Sequence, residues 1–336
     1  MATQTHASSQ HKAFLFFASH RESGILAVIV LLSLLITVRA PVFLSLKNIG
    51  DIGMDISALI IVAIAQTMVI ITGGIDLSVA SNLALCAMSV GVVQRAYPGI
   101  PVFLLVLFGI AIGTLLGVIN ATLITAGKVP PIIATLGTMS MTRGMIFIVS
   151  QGSWVASTDV PQHFRDLAWL KIGNVPLLII WAIIAALLFA YFMKYTRTGR
   201  QIYAIGSNLK AANVAGFDVE RTRFIVYALA GALSGFAGML WMARFAVVQN
   251  NTALGFELQT VASAVVGGTS IYGGSGTILG TILGALFIGI LANGLTLVHI
   301  SEFWQMAVQG VVILGAVVIN AVIARRLQAI MSLRKV

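Results

Sequence analysis

KYTRTGRQIYAIGSNLKAANVAGFDVERTR, residues 194–223, is the one long charged stretch of the chain, and its reading decides the fold. It carries Lys194, Arg197, Arg200, Lys210, Arg221 and Arg223 against Asp218 and Glu220, with apolar runs on both sides. A basic loop between membrane segments stays in the cytoplasm, so this loop orients every other segment. The apolar runs outnumber it heavily: of 336 residues, 59% are hydrophobic and 9% charged, with a mean hydropathy of +1.01. No soluble fold could cover so much apolar surface, and the chain reads as an all-α polytopic membrane protein. The runs are long and continuous rather than alternating, which selects helices over barrel strands.

Counting about 20 apolar residues per span places helices near 24–41, 52–72, 76–93, 101–123, 131–150, 174–193, 224–244, 257–271, 276–297 and 303–324. Residues 1–23 then form a cytoplasmic tail, 24–324 a single transmembrane domain, and 325–336 a second cytoplasmic tail. Met1 to Arg21 lacks a short apolar core followed by a small-residue cleavage site, and reads as a retained tail. With the N-terminus inside, Lys12, Arg21, Lys128, the six basic residues of the central loop, Arg325, Arg326, Arg334 and Lys335 fall in the cytoplasm. Arg39, Lys47, Arg95, Arg143, Arg165, Lys171 and Arg244 lie outside or within spans. The net charge of +10 therefore faces anionic lipid and says little about nucleic acid. The lone cysteine, Cys86, sits in an apolar run as a small filler.

Small residues recur every third or fourth position in GIAIG (109–113), GALSGFAG (231–238) and GTILGTILGA (276–285), the pattern of closely packed membrane helices. The stretch 151–174 is amphipathic, with Trp154 and Trp169 placed for a membrane interface; it is an outer rim for a partner or a solvated loop with aromatic anchors.

Two places interrupt the spans in similar ways: GGIDLSVAS (73–81) and GGTSIYGGSG (267–276). Paired glycines end a helix, and Asp76 or Ser275 is then placed to cap the next one. Gly-interrupted segments in matching positions of two halves point to a transporter's working region, although two plain helix–turn–helix connections would read the same way. Gln66, Gly73, Gly74, Asp76, Ser78, Asn120 and Asn293 are the candidates for the translocation path or gate. Arg143 shapes its outer half, facing a cavity or a carboxylate or reaching an interface, because an embedded arginine costs about 2.5 kcal/mol or more unless paired or wetted. Gln66, Asn82, Asn120, Asn293 and Gln305 serve equally well as interhelical hydrogen bonds.

GGIDLSVAS, KVPPIIATLGTMSMTRG (128–144), TGRQIYAIGSNLKAANVAGF (198–217) and VVGGTSIYGGSGTILGTILGA (265–285) follow one another in an order and spacing that closely resemble the membrane subunit of binding-protein-dependent ABC importers of the ribose, xylose, galactose, rhamnose and autoinducer-2 class. The resemblance runs from about 49 to 320. It implies a pathway for a monosaccharide between two permease copies or two related permeases in the bacterial inner membrane, two cytoplasmic ATPase subunits and a periplasmic sugar-binding protein. It further implies that Gly199 to Gly216 docks on the ATPase, with Gly199, Arg200, Gly206, Asn208, Lys210, Ala211, Ala212 and Gly216 in the coupling segment. Lys210 stands where importers in general carry an acid, Ala80 where the family has Gly, and Asn320 where it often has Asp.

The residues agree that energy comes from elsewhere. The chain has no G-x-x-x-x-G-K-[ST] phosphate loop, and its five histidines, His6, His11, His20, His163 and His299, lie in tails and loops. No catalytic site, metal site or cofactor is expected. The rival from another class is a proton-coupled sugar transporter working without an ATPase, for which Asp76 is the candidate proton carrier.

Overall fold

A computed structural model describes residues 21–301 and, helical beyond them, residues 304, 305, 307–312, 314, 315 and 318. The tail 325–336, most of the tail 1–23, the end of the last span and Asn320 lie outside the described residues.

The first half runs α1 (Arg21–Arg39), a 3-10 turn (Pro41–Leu44), α2 (Leu46–Ile71), α3 (Val79–Ala96), α4 (Val102–Thr125) and α5 (Pro131–Ser150). A peripheral segment follows, with α6 (Gln162–Trp169) and a small antiparallel pairing of β1 (Lys171–Ile172) with β2 (Val175–Pro176). Next come α7 (Leu177–Tyr195), the two short helices α8 (Arg197–Ser207) and α9 (Leu209–Val214), α10 (Val219–Phe245), α11 (Phe256–Val266) and α12 (Ile278–Leu297). Among the described residues, α1, α2, α3, α4, α5, α7, α10 and α12 are long and apolar enough to cross a membrane. The fold is an all-α polytopic membrane protein, as the composition required.

The helix placed near 257–271 covers only Phe256–Val266. This helix, α11, ends at Val266 after 11 residues, about 16 Å at 1.5 Å per residue, too short for a hydrocarbon core of about 30 Å. Gly267 and Gly268 stop it, and the remaining path to Thr277 is irregular backbone. Such backbone is tolerated at membrane depth only where protein satisfies its polar groups.

The helix α2 is the central element, buried along most of its length from Ile52 to Ile71. Around it the small-residue stripes close into seams. A methyl group on Gly231 would strike the Gly113 carbonyl and Gly117, and one on Gly235 the Gly109 carbonyl, so α4 and α10 meet backbone to backbone. Gly280 and Gly284 of α12 lie in the same way against Gly267 and Ser263. These contacts are dispersion packing, the main attraction between apolar helices in lipid.

One end of the bundle collects the basic loops. Lys128, between α4 and α5, pairs with Glu220 at the start of α10 (2.8 Å). Thr196 caps α8 by accepting from Gly199 N (3.0 Å), and Asn208 caps α9 by accepting from Ala211 N (3.0 Å). At the opposite end, Arg244 bonds Asp55 (3.0 Å) and lies 4.6 Å over the ring of Trp169, whose indole donates to the Arg244 carbonyl (3.1 Å). Trp169 thus anchors the amphipathic 151–174 segment to α10, while Trp154 is exposed.

Candidate functional site

The first interruption begins where α2 ends. Gly73 takes φ +84°, a conformation open to glycine, and Gly74 leaves room that the Tyr227 hydroxyl fills. The chain then crosses 75–78 without helical hydrogen bonds, and side chains from three helices replace them. Gln66 of α2, its amide turned to suit, donates to Asp76 O (3.0 Å) and accepts from Asp76 N (3.3 Å). The Asp76 carboxylate accepts from Ser78 N (2.8 Å) and Ser78 Oγ (2.6 Å). Ser78 Oγ in turn accepts from Asn120 of α4 (2.8 Å), and Asn120 Oδ1 accepts from Thr138 of α5 (2.7 Å). Thr135 accepts from Leu77 N (3.2 Å). All of these side chains are buried. Asn120 lies five residues from the basic end of α4 and Thr138 seven from that of α5, so the interruption sits about 8–10 Å inside that end.

Gln66, Asp76, Ser78 and Asn120 therefore come together as one continuous hydrogen-bonded chain, as do Gly73 and Gly74 that shape its turn. Asp76 does not cap α3 as expected: its carboxylate closes a turn onto Ser78, and α3 starts at Val79 with no side-chain cap. Ser275 is likewise not the cap of α12. Thr277 is, accepting from Gly280 N (2.9 Å).

Two candidates stand apart. Arg143 points to the loop between α10 and α11, donating to Thr252 O (2.7 Å) and Ala253 O (3.0 Å). Its hydrogen-bond partners are these main-chain carbonyls, and the Glu257 carboxylate also acts on it electrostatically. Asn293 exchanges two amide hydrogen bonds with Asn48 (2.9 and 3.1 Å) near the outer end of α2.

The second interruption comes back to the first. Gly274 N donates to Ile71 O (2.9 Å), joining the loop 267–277 to the end of α2. Helix α8 seals this joint. Tyr203 Oη donates to Gly276 O (2.9 Å), Ser207 Oγ to Gly274 O (3.3 Å), and Gly206 lies so close that any side chain would run into Ile71 O and Gly274 N. Of the remaining coupling candidates, Gly199 packs on the carbonyls of Phe192 and Met193, and Ala212 is buried with Ile205 and Val219. Ala211 supplies the amide capped by Asn208, and Gly216 turns at φ +78°. Arg200 and Lys210 are exposed.

Sequence reasoning missed Tyr203, Ser207, Thr135 and Thr138. The first two had a readable signal: Gly199, Tyr203, Gly206 and Ser207 are spaced i, i+4, i+7, i+8, one stripe of an amphipathic helix.

With this geometry in place, the comparisons are specific. Residues 48–317 match the family described as the branched-chain amino acid transport system / permease component. The chain belongs to that permease family. This permease is 37% identical over 328 residues to the ribose import permease protein RbsC of Escherichia coli (strain K12), covering 95% of this chain and 99% of the relative. To the protein of the same name from Bacillus subtilis (strain 168) it is 36% identical over 290 residues, 86% of this chain and 89% of the relative. To the autoinducer 2 import system permease protein LsrC of Enterobacter sp. (strain 638) it is 34% identical over 298 residues, 89% and 85%. No solved structure matches the chain. The permease is thus a multi-pass membrane transport component, not an enzyme.

Proposed function

We propose that this permease is the transmembrane subunit of an ATP-driven importer that passes a monosaccharide received from a periplasmic binding protein. It works beside a second copy or a related permease, with ATPase subunits on the cytoplasmic side. The basic end is that cytoplasmic side. The observation that carries the reading is the joint under α8: one amphipathic helix at the basic end holds the second interruption through Tyr203 and Ser207 and packs through Gly206 on the end of α2, where the first interruption begins. A push on α8 reaches the end of α2 and the loop before α12 without passing through flexible linkers. Both interruptions have ordinary main-chain geometry for glycine, so small shifts there can reorient α3 and α12.

The sugar in this reading comes from the relatives' names, which point to ribose and autoinducer 2, whereas the family description names branched-chain amino acids. Specificity rests mainly with the binding protein. Gln66, Asp76, Ser78 and Asn120 hold the inner gate in shape, and Arg143 ties down the outer loop. The test is uptake by proteoliposomes containing this permease with its ATPase and binding protein, each omitted in turn. Import that collapses without either partner is the expected result; import by the permease alone, following a proton gradient, overturns the reading.

A further inference from the structure

Between α2, α11 and α12 lies a cavity of about 240 Å³. Its depth follows from α2. Ile71 is fixed at the inner joint, and the cavity-lining residues Leu59 and Ile52 precede it by 12 and 19 residues, about 18 and 28 Å along the helix at 1.5 Å per residue. The cavity therefore occupies the outer part of the membrane, on the side away from the ATPase. None of the coupling or inner-gate residues contributes to it. Asn293 is the one translocation candidate in its wall.

The wall has two chemistries. Phe256 of α11 and the aliphatic side chains of α2 give an apolar floor, and Asp55, Gln259, Asn293 and Thr296 bring polar groups to it. Amides and hydroxyls both donate and accept, which suits a ligand whose polar groups are hydroxyls that do the same. An aromatic floor suits the C–H face of a sugar ring. A zwitterionic amino acid fits badly: no Lys or Arg lines the cavity, and its one carboxylate, Asp55, is already committed to Arg244. A buried charge without a partner is costly. The volume lies below the roughly 300–1,000 Å³ of pockets for drug-sized ligands, a scale that fits one monosaccharide.

We propose that this cavity is the outer transit site, where a single neutral monosaccharide released by the binding protein rests with its ring on Phe256 and its hydroxyls toward Gln259, Asn293 and Thr296. The inference rests on the import reading above and extends it, by placing the selection against amino acids in the permease itself as well as in the binding protein. The held polar groups each keep a protein partner: Gln259 bonds Gln309 (3.2 Å), and Asn293 bonds Asn48. Binding at the cavity is accordingly weak, as a transit site requires.

The test uses single-cysteine labelling in the assembled complex, because the chain's own Cys86 is buried. Thr296→Cys, of similar size and exposed at the cavity mouth, and Gln259→Cys are each treated with a membrane-impermeant methanethiosulfonate reagent from the outer side. The reaction is run with no addition, with the sugar that the wild-type complex imports from a panel including D-ribose, or with L-leucine at the same high concentration. Ser157→Cys on the outer segment is the control position. The expected result is labelling slowed at least threefold by the sugar at 296 or 259, with no slowing by leucine and none at 157. Equal rates with and without sugar at both positions, in a complex whose wild type imports that sugar, overturn the transit site and leave the import reading intact. Slowing by leucine overturns the selectivity. A wild-type complex that imports no sugar of the panel removes the import reading and this inference with it.

Discussion

Replacing Gly206 by alanine adds one methyl group, and the structure makes it a severe change. In an isolated helix the substitution is favourable by about 1 kcal/mol, because glycine has the higher conformational entropy to lose. Here the new carbon would sit 2.5 Å from Gly274 N and closer still to Ile71 O. Both are main-chain atoms, and they are bonded to each other, so neither can rotate away. Helix α8 must withdraw by about 2 Å to reach ordinary contact, straining the Tyr203 and Ser207 hydrogen bonds, or the Gly274–Ile71 bond must open. Overpacking of this kind costs about 1–3 kcal/mol, and one lost hydrogen bond about 1 kcal/mol more. Set against the gain in helix propensity, the closed joint loses about 1–3 kcal/mol, which at 1.4 kcal/mol per factor of ten is a drop of roughly five- to 150-fold in its population. The assay is ATP-driven uptake by the reconstituted complex at matched permease content. Gly137→Ala and Gly144→Ala serve as controls, since a methyl group at either position meets nothing within 4 Å. Uptake by Gly206→Ala at least fivefold below both controls is expected. Uptake within twofold of wild type would refute the view that α8 acts through this joint.

Four other outcomes follow from the same geometry. Gly231→Val drives a branched side chain into the main chain of α4 at Gly113 and Gly117, and the thermal midpoint of the detergent-solubilised permease should fall by several degrees, consistent with about 2–3 kcal/mol of overpacking. Asn120→Leu severs the links to Ser78 and Thr138 while leaving Ser78 bonded to Asp76. At an average near 0.6 kcal/mol per interhelical hydrogen bond it should cost about 1 kcal/mol, a smaller fall in the same scan. Asp76→Asn keeps an oxygen that accepts from Ser78, so ATP-driven uptake should persist, whereas Asp76→Ala should lose most of it; loss with asparagine as severe as with alanine would point to a proton-carrying role instead. Lys128→Ala removes an exposed ion pair and should change the midpoint by less than the equivalent of 1 kcal/mol.

Much of this arrangement was legible in the sequence because lipid imposes simple rules. Long apolar runs must be helices, basic loops mark one face, and the small-residue stripes at 109–113 and 231–238 are the pattern of close helix contacts. The two interruptions were visible for the same reason, since paired glycines and an aspartate have no place inside a spanning helix. Their meeting was not visible: the bond from Gly274 to Ile71 joins residues about 200 positions apart, and no local pattern encodes it. The length of α11 was not legible, because hydropathy continues through Val265 and Ile271 while the helix stops at the glycine pair Gly267–Gly268. The hydrogen-bond partners of Arg143 were not visible either, because they are the carbonyls of Thr252 and Ala253, a group that every residue carries.

The half-length helix α11 also bears on how the chain is assembled during synthesis. A full span can enter the bilayer on its own, with its main chain already paired. Residues 256–277 cannot, because their trailing loop takes long-range partners in Ile71, Tyr203 and Ser207, all translated earlier. This crossing must therefore wait until α2 and α8 are in position, and α12 with it, so the last third of the permease is templated by the first two.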